Sequence, residues 1–153
     1  MAMNSRWASG VGTVAAAVLC IAAIRRGGGM PASEMEARAG LARIHARAGE
    51  YCLAVKLLED MVRESGESPY ARLALARVLF EKGEYGRAEQ HYRALLREDG
   101  DSPVVLFNLA RTLESRNPEE AAVLFTRFLS LYADALPALA EKARRALGAE
   151  GRG

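Results

Sequence analysis

The sequence has few of the residues that support catalysis, metal binding or disulfide cross-linking. Only two of its 153 residues are cysteine and two are histidine, and aromatic residues make up 7%. Cys20 lies in an apolar run and Cys52 far beyond it, so no disulfide framework is indicated. No His-Glu-x-x-His motif, paired Cys-x-x-Cys motif or glycine-rich phosphate loop occurs. These absences argue against an enzyme and indicate neither a metal nor another cofactor.

Alternating Val, Ile and Thr residues, the pattern of β-strands, are also lacking. Ala, Leu, Arg and Glu are abundant instead, and they favour helices, so the composition predicts an all-α protein. The net charge of +2 comes from residues 1–29, which hold three arginines and no acid. Residues 30–153 hold 18 basic and 19 acidic side chains. This balance gives no indication of nucleic-acid binding.

An uncharged run of 18 residues extends from Trp7 to Ile24. As a helix it would span roughly 27 Å, close to the ~30 Å hydrocarbon core of a bilayer. Trp7 at one end and Arg25 and Arg26 at the other suit the membrane interfaces. The run therefore predicts an N-terminal transmembrane anchor, joined to the rest of the chain by a flexible glycine joint at 27–29. The residues predicted to form the anchor are Trp7, Val11, Val14, Val18, Leu19, Ile21 and Ile24.

Two other interpretations of this run stay open, a cleaved signal peptide and a buried or tail helix. Arginines rather than a small-x-small cleavage site follow the run, which disfavours the signal peptide. Basic residues prefer the cytoplasmic side of a membrane. Arg25 and Arg26 therefore slightly favour a single-pass protein whose folded domain faces the cytoplasm rather than the extracytoplasmic side.

A 34-residue period runs through the rest of the chain. A Leu-Ala-Arg triplet begins at Leu41, Leu75 and Leu109, and Gly-Glu-Tyr begins at Gly49 and Gly83. Such a period predicts tandem helix pairs. The predicted units are residues 35–68, 69–102 and 103–136 within a domain over 30–148, followed by a capping helix at 137–147 and a disordered tail at 149–153.

Local signals place the ends of the predicted helices. Ser33 and Glu36 have the form of a capping box at the start of the first helix. Serine followed by proline, at 68–69 and 102–103, predicts the starts of two later first helices. Gly49 and Gly83 predict helix ends. Asn117, followed by proline and two glutamates, predicts the start of the sixth helix.

The repeating residues resemble the tetratricopeptide repeat family over roughly residues 35–136. The middle unit carries its pattern of large and small residues most fully, in Leu75, Ala76, Leu79, Ala88 and Tyr92. Arg38 and Arg72 depart from the pattern, because they stand where the family has a bulky apolar residue. The resemblance implies an α-solenoid of three helix pairs whose first helices line a concave groove.

By that resemblance one arginine from each first helix faces the groove, together with apolar and amide side chains. The expected groove residues are Arg43, Arg77, Arg111, Tyr70, Leu73, Phe107 and Asn108. A row of guanidinium groups beside apolar surface suits a peptide or protein partner with acidic residues. The alternative is that the arginines pair with neighbours such as Glu81 or Glu114 and only hold the stack together.

The function expected from the sequence is a non-catalytic, membrane-anchored adaptor or assembly factor. It would bind a partner in the concave groove and contact the lipid bilayer through the N-terminal run. The alternative is a permanent structural subunit of a larger membrane-associated complex.

Overall fold

The fold is given by a computed structural model that describes residues 30–150. This part of the chain forms seven α-helices and no strand, so the prediction of an all-α tandem repeat is confirmed for it. The helices are α1 (Ala32–Arg47), α2 (Tyr51–Glu64), α3 (Pro69–Lys82), α4 (Tyr85–Asp99), α5 (Pro103–Leu113), α6 (Pro118–Tyr132) and α7 (Pro137–Glu150).

The helices stack in chain order. Each packs against the next, giving the pairs α1–α2, α3–α4 and α5–α6, with α7 packed on α6. The first helices of the pairs also contact one another, α1 with α3 and α3 with α5. They therefore lie side by side and form one continuous face of the stack.

Alanines occupy the close crossings of this stack. Ala42, Ala76 and Ala110 lie one period apart and are fully buried. Where two helix backbones approach closely, only a small side chain fits between them, and larger residues fill the gaps beside the crossing. Tyr92 and Phe125 are such larger residues, each about 1% exposed.

Replacing Ala76 with leucine should lower the free energy of unfolding by ~1–3 kcal/mol, because overpacking a tight crossing forces strain. Urea unfolding followed by circular dichroism measures the change. Ala138→Leu is the matched control, since Ala138 is an exposed helix residue and such substitutions usually stay within ~0.5 kcal/mol. Equal midpoints for the Ala76 variant and the wild type would show that this crossing has room for a larger side chain.

The predicted capping box at Ser33 and Glu36 is wrong. Helix α1 begins one residue before Ser33, and no side chain caps it. Pro31 stands at the N-cap position, and its carbonyl accepts hydrogen bonds from the backbone N–H groups of Glu34 and Met35, both at 3.0 Å. Asn117 does cap its helix, since its side-chain oxygen accepts from the backbone N–H of Glu120 at 3.3 Å.

The far end of the stack also differs from the prediction. Helix α7 continues to Glu150 instead of ending at Leu147, so residues 149 and 150 are helical rather than part of a disordered tail. A glycine ends a helix readily when it adopts a positive φ, as Gly83 does at +87°. Gly148 is not among the positive-φ glycines, so α7 passes through it.

Arg38 and Arg72, the two departures from the family pattern, join the two helices of their units. Arg38 on α1 pairs with Glu64 on α2 at 2.8 Å. One period later, Arg72 on α3 pairs with Glu98 on α4, and its side chain is only 8% exposed. In the third unit Leu106 takes this position and is fully buried. The arginine stem thus fills the apolar position while its charged head is paired.

The predicted membrane anchor over Trp7–Ile24 lies outside the described residues and stays a prediction. Between residues 30 and 150, no helix is both long and apolar enough to cross a membrane.

Candidate protein-interaction groove

Helix α3 presents a mixed apolar and charged stripe to the face formed by the first helices. Tyr70, Leu73, Ala74, Arg77 and Glu81 are spaced i, i+3, i+4, i+7 and i+11, which places them on one side of the helix. They line a hollow between α1 and α3, here called the central depression. Its lining residues are Ala39, Arg43, Leu58, Tyr70, Leu73, Ala74, Arg77, Val78 and Glu81.

The central depression has an apolar floor and a polar rim. Leu58 and Val78 are buried beneath it, and Tyr70 at its edge is 48% exposed. It holds about 550 Å³ of empty space, counting the part open to solvent. The enclosed part of that space is about 100 Å³, smaller than the ~300–1,000 Å³ of small-molecule pockets. Four of the seven predicted groove residues meet here, namely Arg43, Tyr70, Leu73 and Arg77.

The two arginines of the central depression are exposed and have no acidic partner among residues 30–150. Neither Arg43 nor Arg77 forms an ion pair with a residue in the described range 30–150, so the pairing of Arg77 with Glu81 weighed above is not seen. Other arginines do form such pairs, namely Arg38, Arg63, Arg72, Arg87, Arg93, Arg116, Arg127 and Arg145. The guanidinium groups of Arg43 and Arg77 therefore keep their hydrogen-bond donors available to a ligand.

Arg111, the third arginine of the row, lies farther along the same face. It lines a second hollow with Phe107, Glu114, Phe125 and Lys142, here called the C-terminal depression. Its guanidinium carbon lies 4.9 Å from the ring centroid of Phe80, close enough for a cation–π contact. This contact links α5 to α3.

Phe107 and Asn108 contribute less to the surface than the sequence predicts. Phe107 is only 6% exposed, because its ring packs against Phe125 and Phe128 at centroid distances of 5.8 and 5.5 Å. It forms the floor of the C-terminal depression rather than an open contact. Asn108 is half-buried and lines neither depression, although its backbone carbonyl accepts a hydrogen bond from the Thr112 hydroxyl at 2.7 Å.

Two of the three arginines affect the pKa of Tyr92, which lies beneath this face. Burial raises the pKa of the Tyr92 phenol, and the positive charges of Arg77 and Arg111 partly offset that rise. Both guanidinium groups are therefore near enough to act on the same buried side chain. The negative charge of Glu81 acts in the opposite direction.

The predicted groove residues do not include all the residues that line the two depressions, and Ala39 and Lys142 are two of those left out. Ala39 lies one period before Leu73 and two before Phe107, so the period could have placed it in the central depression. Lys142 belongs to α7, which is outside the repeated units, so no period indicates its place in the C-terminal depression. It adds a further positive charge beside Arg111.

The face carries apolar side chains and guanidinium groups. Among residues 30–150, no group of three His, Cys, Asp or Glu side chains is arranged to hold a metal ion. His45 contacts a carboxylate of its own unit, with its Nδ1 atom 2.5 Å from Glu50 Oε2. An apolar floor beside unpaired guanidinium groups suits a peptide segment with apolar and acidic side chains.

The stacked helix pairs and the face of first helices define a helical tandem-repeat protein of the α-solenoid class. Two models described as tetratricopeptide repeat match the sequence, one at residues 46–106 and the other at residues 1–69. Over these residues the chain is therefore similar to the tetratricopeptide repeat family, and the resemblance drawn from its 34-residue period is confirmed.

Solved structures share this fold. PcrH from Pseudomonas aeruginosa is 24% identical, with a TM-score of 0.69 over 79% of this chain and 94% of that one. PcrH in complex with the chaperone binding region of PopB is 22% identical, with a TM-score of 0.67 over 77% of this chain and 98% of that one. At these identities the likeness concerns the fold alone. No curated protein sequence matches the chain.

Proposed function

We propose that the protein is a non-catalytic interaction module that binds an extended segment of a partner protein along the face of its first helices. The observation that supports this most directly is that Arg43 and Arg77, above the apolar floor of the central depression, are exposed and form no ion pair with another described residue. The similar fold of PcrH has been solved with a region of PopB bound, which supports a protein segment as the ligand.

The partner segment should combine an apolar side chain with acidic neighbours. The apolar side chain would enter the central depression between Leu73 and Ala74 on one side and Ala39 on the other. Carboxylates beside it would accept hydrogen bonds from the guanidinium groups of Arg43 and Arg77, and such charge-assisted bonds are stronger than neutral ones. Farther along, Arg111 and Lys142 would receive a second acidic stretch.

Site-specific photo-cross-linking in the native host tests this proposal. A photoreactive residue replacing Leu73 should capture a partner, whereas one replacing Val123, which is 66% exposed on α6, should not. A triple variant with alanine at positions 43, 77 and 111 should lose the capture while keeping its helical circular dichroism spectrum. Undiminished capture by the folded triple variant would place the binding surface elsewhere.

Two modes of action fit this binding. We favour an adaptor or assembly factor that binds and releases its partner, because the guanidinium groups of Arg43 and Arg77 are not satisfied within the described part of the chain. A permanent structural subunit is the alternative. Native gel electrophoresis separates them, since an adaptor occurs partly free and a permanent subunit occurs only in one complex of fixed stoichiometry.

Membrane attachment through Trp7–Ile24 is an alternative to the packing of this segment on α1 that is inferred below. If Trp7–Ile24 spans a bilayer, the repeats would hold their partner at the membrane, on the cytoplasmic side by the arginine distribution. This location stays a prediction from the sequence, and the binding proposal does not depend on it.

A further inference from the structure

Helix α1 carries an exposed apolar stripe at the start of the stack. Ala37, Leu41 and Ile44 are spaced i, i+4 and i+7 and so share one side of the helix. Leu41 is 45% exposed and Ile44 is 64% exposed. Leu53, at the start of α2, is 51% exposed as well. These four residues, here called the open stripe, include no charged side chain.

The positions of Ala37, Leu41 and Ile44 are buried in the later units. One period on they are Ala71, Leu75 and Val78, and two periods on they are Val105, Leu109 and Thr112, none more than 6% exposed. They are buried because the second helix of the preceding unit packs on them, α2 on α3 and α4 on α5. The open stripe is therefore the surface on which a preceding layer would pack, and no residue from 30 to 150 covers it.

The side chains of the open stripe favour packing against an uncharged segment. At the next junction Arg87 reaches back to Glu59 of the preceding unit at 2.5 Å. At the junction after that, Arg93 pairs with Glu120 at 2.8 Å. Here the earlier unit supplies the arginine and the later unit supplies the acid. The position one period before Arg87 is Leu53. An ion pair thus links the two adjacent units at each later junction. The open stripe, at the start of the stack, has no charged side chain with which to form one.

The chain itself contains a segment that fits this surface. One tetratricopeptide repeat model matches residues 1–69, about two periods, so the match continues through the residues that precede α1. Within them Trp7–Ile24 carries no charge, which suits an apolar surface without a charged partner. The glycines at 27–29 can form the tight reversal needed to bring the segment back onto α1.

We infer that Trp7–Ile24 packs on the open stripe as the layer that precedes α1, rather than crossing a bilayer. Burying Leu41, Ile44 and Leu53 removes the largest exposed apolar side chains of the first unit from water. The contact lies at the end of the stack, away from the central depression. It therefore holds whether or not the proposed groove binds a partner.

Trp7 makes this contact measurable, because it is the only tryptophan in the chain. In lipid-free buffer, the full chain should show blue-shifted Trp7 emission that acrylamide quenches weakly.

Ile44→Lys should shift the emission to longer wavelength and increase quenching. Val123→Lys is the matched control, because Val123 has the same degree of exposure, 66%, at a distant site. It should leave the emission unchanged. Ile44→Lys should also speed hydrogen exchange across residues 7–24 without changing partner capture.

Several results would overturn the inference. Water-exposed emission from the wild type, or a blue shift that persists in Ile44→Lys, would show that Trp7 does not lie on the open stripe. A blue shift lost on dilution, together with dimers in light scattering, would assign the surface to a second copy of the chain. A full chain soluble only in detergent, or one that enters phosphatidylcholine–phosphatidylglycerol vesicles and resists carbonate extraction, would support the membrane anchor instead.

Discussion

Phe128→Ala is expected to lower the free energy of unfolding by about 3–5 kcal/mol, the usual cost of truncating a buried phenylalanine. Phe128 is fully buried, and its ring contacts those of Phe107 and Tyr132 at centroid distances of 5.5 and 5.9 Å. Few residues remain beyond this unit to rearrange into the space. Because repeat units are stabilised by their neighbours, hydrogen exchange should accelerate more in α5–α7 than in α1–α2. Urea unfolding and hydrogen exchange on the same variant measure both effects.

Val123→Ala is the matched control for Phe128→Ala, since Val123 lies on the same helix with 66% exposure and should change stability by no more than ~0.5 kcal/mol. A loss below ~1 kcal/mol for Phe128→Ala would contradict the aromatic packing among Phe107, Phe125 and Phe128. That result would also remove the stated reason for the burial of Phe107, which would then be available to a ligand.

Arg77→Ala is expected to weaken partner binding by on the order of 1.5–3 kcal/mol, about tenfold to a hundredfold in Kd. Arg77 lies midway along the arginine row and lines the central depression. A bound segment would shield Arg77 from water. Hydrogen bonds to a charged group contribute most in such a shielded site. Calorimetric titration of the partner segment captured at position 73 measures the loss. The same titration at rising salt should show weaker binding to the wild type.

Two variants separate the geometry of Arg77 from its charge. Arg77→Lys should recover only part of the affinity, since lysine keeps the charge but lacks the planar fork that binds a carboxylate in a bidentate manner. Arg47→Ala removes an exposed arginine that lines neither depression and should leave Kd nearly unchanged. The Arg77→Ala variant should melt like the wild type, because Arg77 pairs with no acid in the described range. A lowered melting temperature with unchanged affinity would instead assign Arg77 a structural role.

The arginines show where a sequence pattern stops being informative. Arg43, Arg72 and Arg77 are all arginines on first helices, and the period marks Arg72 only as a departure from the family. In the structure Arg72 is buried and paired with Glu98, whereas Arg43 and Arg77 are exposed and unpaired within the described residues. The difference depends on which acid the neighbouring helix presents, and that acid is 26 residues away in the chain.

Phe107 and Ser33 show two further limits. The period correctly relates Phe107 to Leu73, but it does not reveal that Phe125 and Phe128 close over the ring. Ser33 has the spacing of a capping residue, yet the carbonyl of Pro31 already accepts the first backbone hydrogen bonds of α1. In both cases a nearby group occupies the role or the space that the pattern alone would assign to the residue.

The sequence by itself determined the all-α fold, the helix pairs and the small residues at the crossings, because each follows from a 34-residue period and from local helix signals that need no distant partner. Only the tertiary structure decided which arginines are paired, how deeply Phe107 is buried, and that the first unit has an apolar stripe without a cover among residues 30–150. Those properties depend on the side chains that neighbouring helices bring together. Identical positions in successive units therefore differ in burial and pairing, because each unit has different neighbours.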